Sequence, residues 1–218
     1  MKTMLLPLSF LLLASTLTLL PEAVHASKND PVLDMKGSGV LPGIPYYLIS
    51  GQWPLGGGVV SLGKGANETC PVDVVLLENL CAKGTPVKFT VASGEGFRIT
   101  DSTDLYVSFD TTSNCTKESM VWKHESINCT STEFLTIGGV EGEVNTIFRI
   151  VNVGGLFGPS YKLVAYKLSS YGLLLSTSNV GVVFNVTTGM RRLALTKKPL
   201  TFSFEVALHY DAGLKEVV

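Results

Sequence analysis

The sequence predicts an all-β chain, and three observations predict it. Beyond the first 26 residues no stretch carries an apolar period of 3.6, while glycine, at 22 residues, and proline, at 10, recur throughout. In place of that period, a short apolar or alternating run returns about every 8 to 15 residues, bounded by Gly, Pro, Asn, Asp or Ser. Three of these runs also look alike: Leu105–Phe109 (LYVSF), Thr146–Ile150 (TIFRI) and Leu200–Phe204 (LTFSF). Their separations, about 40 to 55 residues, suggest an internal threefold repeat. On pattern alone, sandwich and barrel are equally compatible with such a chain.

Residues 1–26 are set apart from the fold. Lys2 is a positive start, Leu5–Leu20 is apolar apart from an interruption at Pro7, and Val24-His25-Ala26 is a small-residue exit. This is the form of a cleaved secretory signal, too short and wrongly flanked for a membrane span. The expectation is a secreted chain, 27–218, with no membrane attachment once the signal is gone. That length suits one monomeric domain with a real core, placed at about 32–208.

The predicted strands run, in order, near Tyr46–Ile49, Val59–Leu62, Val72–Leu77, Val87–Thr90, Arg98–Thr100, Leu105–Phe109, Met120–Lys123, Phe134–Ile137, Ile147–Val151, Tyr161–Tyr166, Val180–Asn185, Arg192–Leu195 and Thr201–Val206. The first is opened by a turn-rich lead-in, Val32–Ile49 (VLDMKGSGVLPGIPYYLI), in which Gly37, Gly39 and Gly43 with Pro42 and Pro45 force turns. Asp34 reads as a side chain that ties this lead-in together through hydrogen bonds to backbone.

Composition excludes several function classes. The net charge is −1 and the basic pairs Arg191-Arg192 and Lys197-Lys198 are small, so no nucleic-acid footprint exists. Beyond the signal the chain has two histidines, His124 and His209, neither in a local catalytic motif. No Cys/His spacing suits zinc, and Gly56–Gly58 reads as a turn, since no helix follows it to make a phosphate loop. No paired carboxylates stand at an acid/base spacing for a glycosidase. The expectation is a non-enzyme with no metal and no cofactor.

The four cysteines, Cys70, Cys81, Cys115 and Cys129, all follow the signal, so disulfides are expected, with three pairings open. Asn67, Asn114, Asn128 and Asn185 each begin an Asn-x-Ser/Thr sequon. Asn114 and Asn128 have cysteine as the middle residue, where disulfide formation competes with glycan transfer, so Asn67 and Asn185 are the better sites.

The spacing within the lead-in carries a resemblance. Val32, Asp34, Gly37, Val40, Tyr46 and Leu48 fit the N-terminal motif of the Kunitz-type soybean trypsin inhibitor family, while Lys36 and Ser38 depart from it. More of the chain falls into register behind it. Gly56–Gly58 before Val59 resembles the family's glycine triplet, and Thr69–Val75 (TCPVDVV) its Cys-Pro strand. Gly84–Thr90 and Ile99–Val107 resemble the segments flanking its inhibitory loop, and Gly189–Leu195 its late strand. The resemblance turns sandwich or barrel into a β-trefoil: a six-stranded barrel capped by three hairpins, pseudo-threefold, of about twelve strands. It implies a Cys70–Cys115 bridge. The family's usual second bridge has no counterpart, since Ala165–Leu175 holds no cysteine, and a Cys81–Cys129 pair is an alternative.

What the resemblance implies for function is protease inhibition, in a plant defence or endogenous regulatory role, outside the cell, in the apoplast, or in the vacuole. In the family one loop enters a protease cleft as a substrate would, and its P1 side chain fills the S1 pocket. The corresponding loop here is Val91–Arg98, with Ser93, Gly94, Glu95, Gly96, Phe97 and Arg98 as its contact residues. Register places P1 at Glu95; a small shift places it at Phe97 or Arg98. Gly94 and Gly96 raise the entropy cost of docking. Pro42 stands where the family often has an asparagine bracing the loop. An alternative contact surface is Tyr166–Leu175. The competing expectation is a non-inhibitory member, a storage, stress-induced or ligand-binding protein that keeps the scaffold.

Overall fold

The computed structural model describes residues 30–50, 58–65, 69–78, 82, 84–112, 115, 117–126, 131–155, 158–168, 175–185 and 189–207. Cys81, Cys129, Asn67, Asn114, Asn128, His209, residues 1–26, expected to be a signal, and residues 211–218 lie outside them. Among the described residues there are twelve strands and one short 3-10 turn, Val144–Thr146.

Six strands close into a ring. They are β1 (Tyr46–Ser50), β4 (Val87–Val91), β5 (Asp104–Phe109), β8 (Phe148–Asn152), β9 (Tyr161–Leu168) and β12 (Thr201–Val206). β1 pairs with β4, β4 with β5, β5 with β8, β8 with β9, β9 with β12, and β12 with β1 again, all antiparallel. The remaining six form three hairpins: β2 (Val59–Gly63) with β3 (Asp73–Leu77), β6 (Lys123–Ser126) with β7 (Glu133–Thr136), and β10 (Leu175–Asn185) with β11 (Met190–Thr196). The hairpins touch one another in a triangle, through Asp73↔Thr136, Arg192↔Val75 and Ala194↔Phe134. Each hangs from the ring in the same way, by Ile49↔Val59, Ser108↔Val121 and the β9–β10 pairing. This is a β-trefoil of three four-strand repeats, β1–β4, β5–β8 and β9–β12.

Alternation drives the ring. In β4, Val87, Phe89 and Val91 point inward while Lys88 and Thr90 do not, as a period of two requires. The inward aromatics stack: Phe89 meets Phe204 edge-on at 5.6 Å, Tyr161 lies 5.4 Å from Phe204, and Trp122 meets Phe148 edge-on at 6.4 Å. Burying each such ring stabilises the fold by about 1.5–3 kcal/mol. Cys70 and Cys115 are joined across 45 residues, a closure that contributes about 4 kcal/mol in the chain-entropy picture.

Two expected strands are corrected. Arg98–Thr100 is a bend, in which only Thr100 bridges, to Pro31. Met120–Lys123 becomes a strand only at Lys123; before it, Val121 makes a lone bridge to Ser108. Both stretches carry a fully buried apolar residue, Ile99 and Trp122, which irregular backbone can also deliver to the core. The repeat is likewise displaced. Of the three look-alike runs, those in β8 and β12 close repeats, but β5 opens one, and the true counterpart of β8 and β12 is β4.

Candidate functional site

The connection from β4 to β5 stands out from the ring. Val91 and Ile99 at its two ends are buried, 8% and 0% exposed. Every residue from Ser93 to Arg98 is exposed, and Phe97 is 91% exposed. On the first side the chain turns at once: the Gly94 amide donates to the Val91 carbonyl at 2.9 Å, and Ser93 Oγ donates to the Glu95 carbonyl at 3.2 Å. Gly94 and Gly96 take φ of +73° and +135°, in the region only glycine adopts without strain. This half of the loop is therefore folded on itself, not extended like a bound substrate.

The second side is clamped by the lead-in segment. The Ile99 amide donates to the Val40 carbonyl at 3.3 Å, and the Val32 amide donates to the Ile99 carbonyl at 3.0 Å. Asp101 donates through its amide to the Asp30 carbonyl at 3.0 Å. The lead-in is in turn shaped by Asp34, 3% exposed, whose Oδ1 accepts from the amides of Lys36 at 2.9 Å and Ser38 at 2.8 Å. Two phenols pin it to the barrel: Tyr161 OH accepts from the Leu33 amide at 2.8 Å, and Tyr46 OH from the Leu41 amide at 3.0 Å. Burial pushes both phenols above their usual pKa. Pro42 occupies a turn whose next residue, Gly43, donates its amide to the Phe89 carbonyl at 2.9 Å. The lead-in thus grips the loop's base through backbone.

A third support was invisible in the sequence. Asp104, at the start of β5, accepts the Ala92 amide on its carbonyl at 2.9 Å, closing the loop's base. Its carboxylate Oδ1 takes Arg149 Nε at 3.0 Å, Arg149 Nη2 at 2.7 Å and Tyr166 OH at 3.1 Å. Burial and the neighbouring Asp104 both push the Tyr166 phenol up. These partners lie 45 and 62 residues away, so no local signal could have brought them together.

The other candidate residues lie elsewhere. His124 is buried, with Nδ1 at 2.7 Å from Glu133 Oε2 and Nε2 at 2.8 Å from the Tyr166 carbonyl. Glu133 also pairs with Lys167. Burial resists ionisation of this carboxyl, but Lys167 and His124 outweigh it and hold its pKa below the usual value. This histidine is a strand residue with both ring nitrogens partnered. Asn185 ends β10, opposite Met190 and half-buried. Of the alternative surface 166–175, residues 169–174 lie outside the described ones. No group of three or more His, Cys, Asp or Glu side chains among the described residues could hold a metal ion.

A closed ring, three cap hairpins and, among the described residues, an exposed β4–β5 loop braced at its base define this β-trefoil. The chain belongs to the Kunitz legume family, described as trypsin and protease inhibitors, which it matches over residues 32–206. It is 30% identical over 181 residues to the latex serine proteinase inhibitor of Carica papaya, covering 80% of this chain and 95% of that one. It is 30% identical over 208 residues to miraculin of Synsepalum dulcificum, covering 91% and 93%. Its fold matches the Kunitz-type cysteine protease inhibitor PCPI-3 from potato with a TM-score of 0.68, at 29% identity, covering 83% of this chain and 98% of that one. The family's inhibitors bind proteases and are not enzymes, and neither is this protein.

Proposed function

We propose that the protein is a secreted inhibitor of serine-type endopeptidases, acting through the loop at about 91–98. One observation carries the reading: six consecutive exposed residues, Ser93–Arg98, stand between two buried ends, Val91 and Ile99. A segment whose base is fixed before docking gives up less conformational entropy on binding. The serine-type assignment draws on the papaya relative, whose name states that class. Secretion follows from removal of residues 1–26, and the mature chain, 27–218, acts as a monomer outside the cell or in the vacuole, in defence. Asn67 and Asn185 are its first sites for glycans, Asn114 and Asn128 the next, and Cys81–Cys129 its candidate second bridge.

A second reading has its own support. The positive φ at Gly94 and Gly96 keeps the first half of the loop from lying extended in a cleft, as strand-like recognition requires. A member with such a loop can persist as a storage, stress-induced or ligand-binding protein. Titration of the mature protein against serine, cysteine and aspartic proteases separates the two. The first reading expects stoichiometric inhibition of at least one serine protease; no inhibition across the panel favours the second.

A further inference from the structure

We infer that Phe97 is the side chain with which this loop fills its target's specificity pocket, and that the target is a protease with a deep apolar pocket. This rests on the inhibitory reading above and names the residue and protease specificity within it. Four observations converge on Phe97.

Its ring is the most exposed large apolar side chain among the described residues, at 91%, against 59% for the next, Val140. Exposed aromatic rings that become buried at the centre of an interface dominate binding. Glu95 sits inside the self-bonded turn, between two glycines of positive φ. A Cβ placed on Gly96 would stand 3.5 Å from Val91 Cγ2, so the chain is still folded against its own base there. Phe97, the next residue, is the first large apolar side chain of the loop to stand in solvent.

The residue after P1 must itself lie in the protease cleft. With Arg98 at P1 that residue would be Ile99, which is fully buried and bonded through both backbone groups to Val40 and Val32. With Phe97 at P1 it is Arg98, which is exposed. Ile99 then serves as the fixed point two residues on, which holds Phe97 in place before docking. A phenyl ring suits a hydrophobic slot and gains nothing from an aspartate at the pocket floor.

The test titrates the mature chain, with Phe97→Ala, Arg98→Ala, Glu95→Ala and Phe97→Arg variants, against chymotrypsin and trypsin. The expected result is tighter inhibition of chymotrypsin, weakened about 100-fold or more by Phe97→Ala and less than about fivefold by the Arg98 and Glu95 variants. Phe97→Arg should move the preference to trypsin. Thermal midpoints within about 2 °C of the parent certify the variants; Phe97→Leu, expected to keep chymotrypsin inhibition, replaces any that fails. Trypsin inhibition lost in Arg98→Ala but kept in Phe97→Ala overturns the inference and leaves the inhibitory loop standing. Equal small losses in every variant also overturn it. A parent chain that inhibits neither these nor any other protease overturns both.

Discussion

One carboxylate oxygen shapes the segment that braces the loop. Asp34 Oδ1 collects two amides within four residues while the Asp34 amide itself donates to the Ser38 carbonyl at 2.7 Å. Asp34→Ala leaves both amides without their acceptor beside a buried backbone, at a cost of about 1–3 kcal/mol. Asp34→Asn keeps the acceptor oxygen and should recover most of that, as urea unfolding of the two variants would measure. This role was legible in the sequence because an aspartate followed at short range by glycines can satisfy its own turn. The Asp104–Arg149–Tyr166 cluster was not legible, because its members meet only after three ring strands have paired. Glu95 illustrates a third case: register along the chain selected it, but register says nothing of the two positive-φ glycines that set it in a turn.

At the scale of elements, the cap hairpins meet around a buried charge pair. Arg192 on β11 bonds Asp73 on β3, and its guanidinium lies 4.6 Å from the centre of the Phe134 ring on β7. Asp73 is 1% exposed and Arg192 7%. Arg192→Leu leaves the Asp73 carboxylate buried without its cation, a loss of about 3–5 kcal/mol. For a domain of this size that lowers the thermal midpoint by roughly 6–20 °C. Exchanging both residues for leucine should return much of the loss, which a double-mutant cycle would read. The strands themselves were legible, since alternating runs bounded by turn residues survive in nearly every element. The errors at Arg98–Thr100 and Met120–Lys123 share a cause: Ile99 and Trp122 are core residues carried by bends and lone bridges, and an apolar residue announces burial without announcing backbone shape.

For the whole molecule, two buried phenols and one half-buried phenol set an alkaline limit. Tyr46, Tyr161 and Tyr166 all hold their protons above the ordinary value of 10.0, chiefly because burial disfavours the phenolate. Above about pH 10 the unfolded chain releases protons that the native chain keeps, so stability falls as pH rises there. Below that value the contribution is complete. Urea midpoints measured from about pH 8 to 12 should be level at first and then drop, with phenolate absorbance rising as the protein unfolds. A Tyr46→Phe variant should show a shallower drop. Glu133 acts at the other end: its lowered pKa contributes stability above the ordinary 4.5 that disappears as pH falls further. The trefoil as a whole was legible only through motif spacing, because periodicity alone could not separate a sandwich from a barrel.

Ring closure carries one last consequence. Each barrel strand already has a neighbour on both flanks, so the barrel offers no free edge to which another polypeptide could add itself. Contact with other molecules is thereby delegated to the connections between strands. Those connections can change residue by residue while the hydrogen-bonded wall behind them stays intact, so one scaffold can acquire new targets without being refolded.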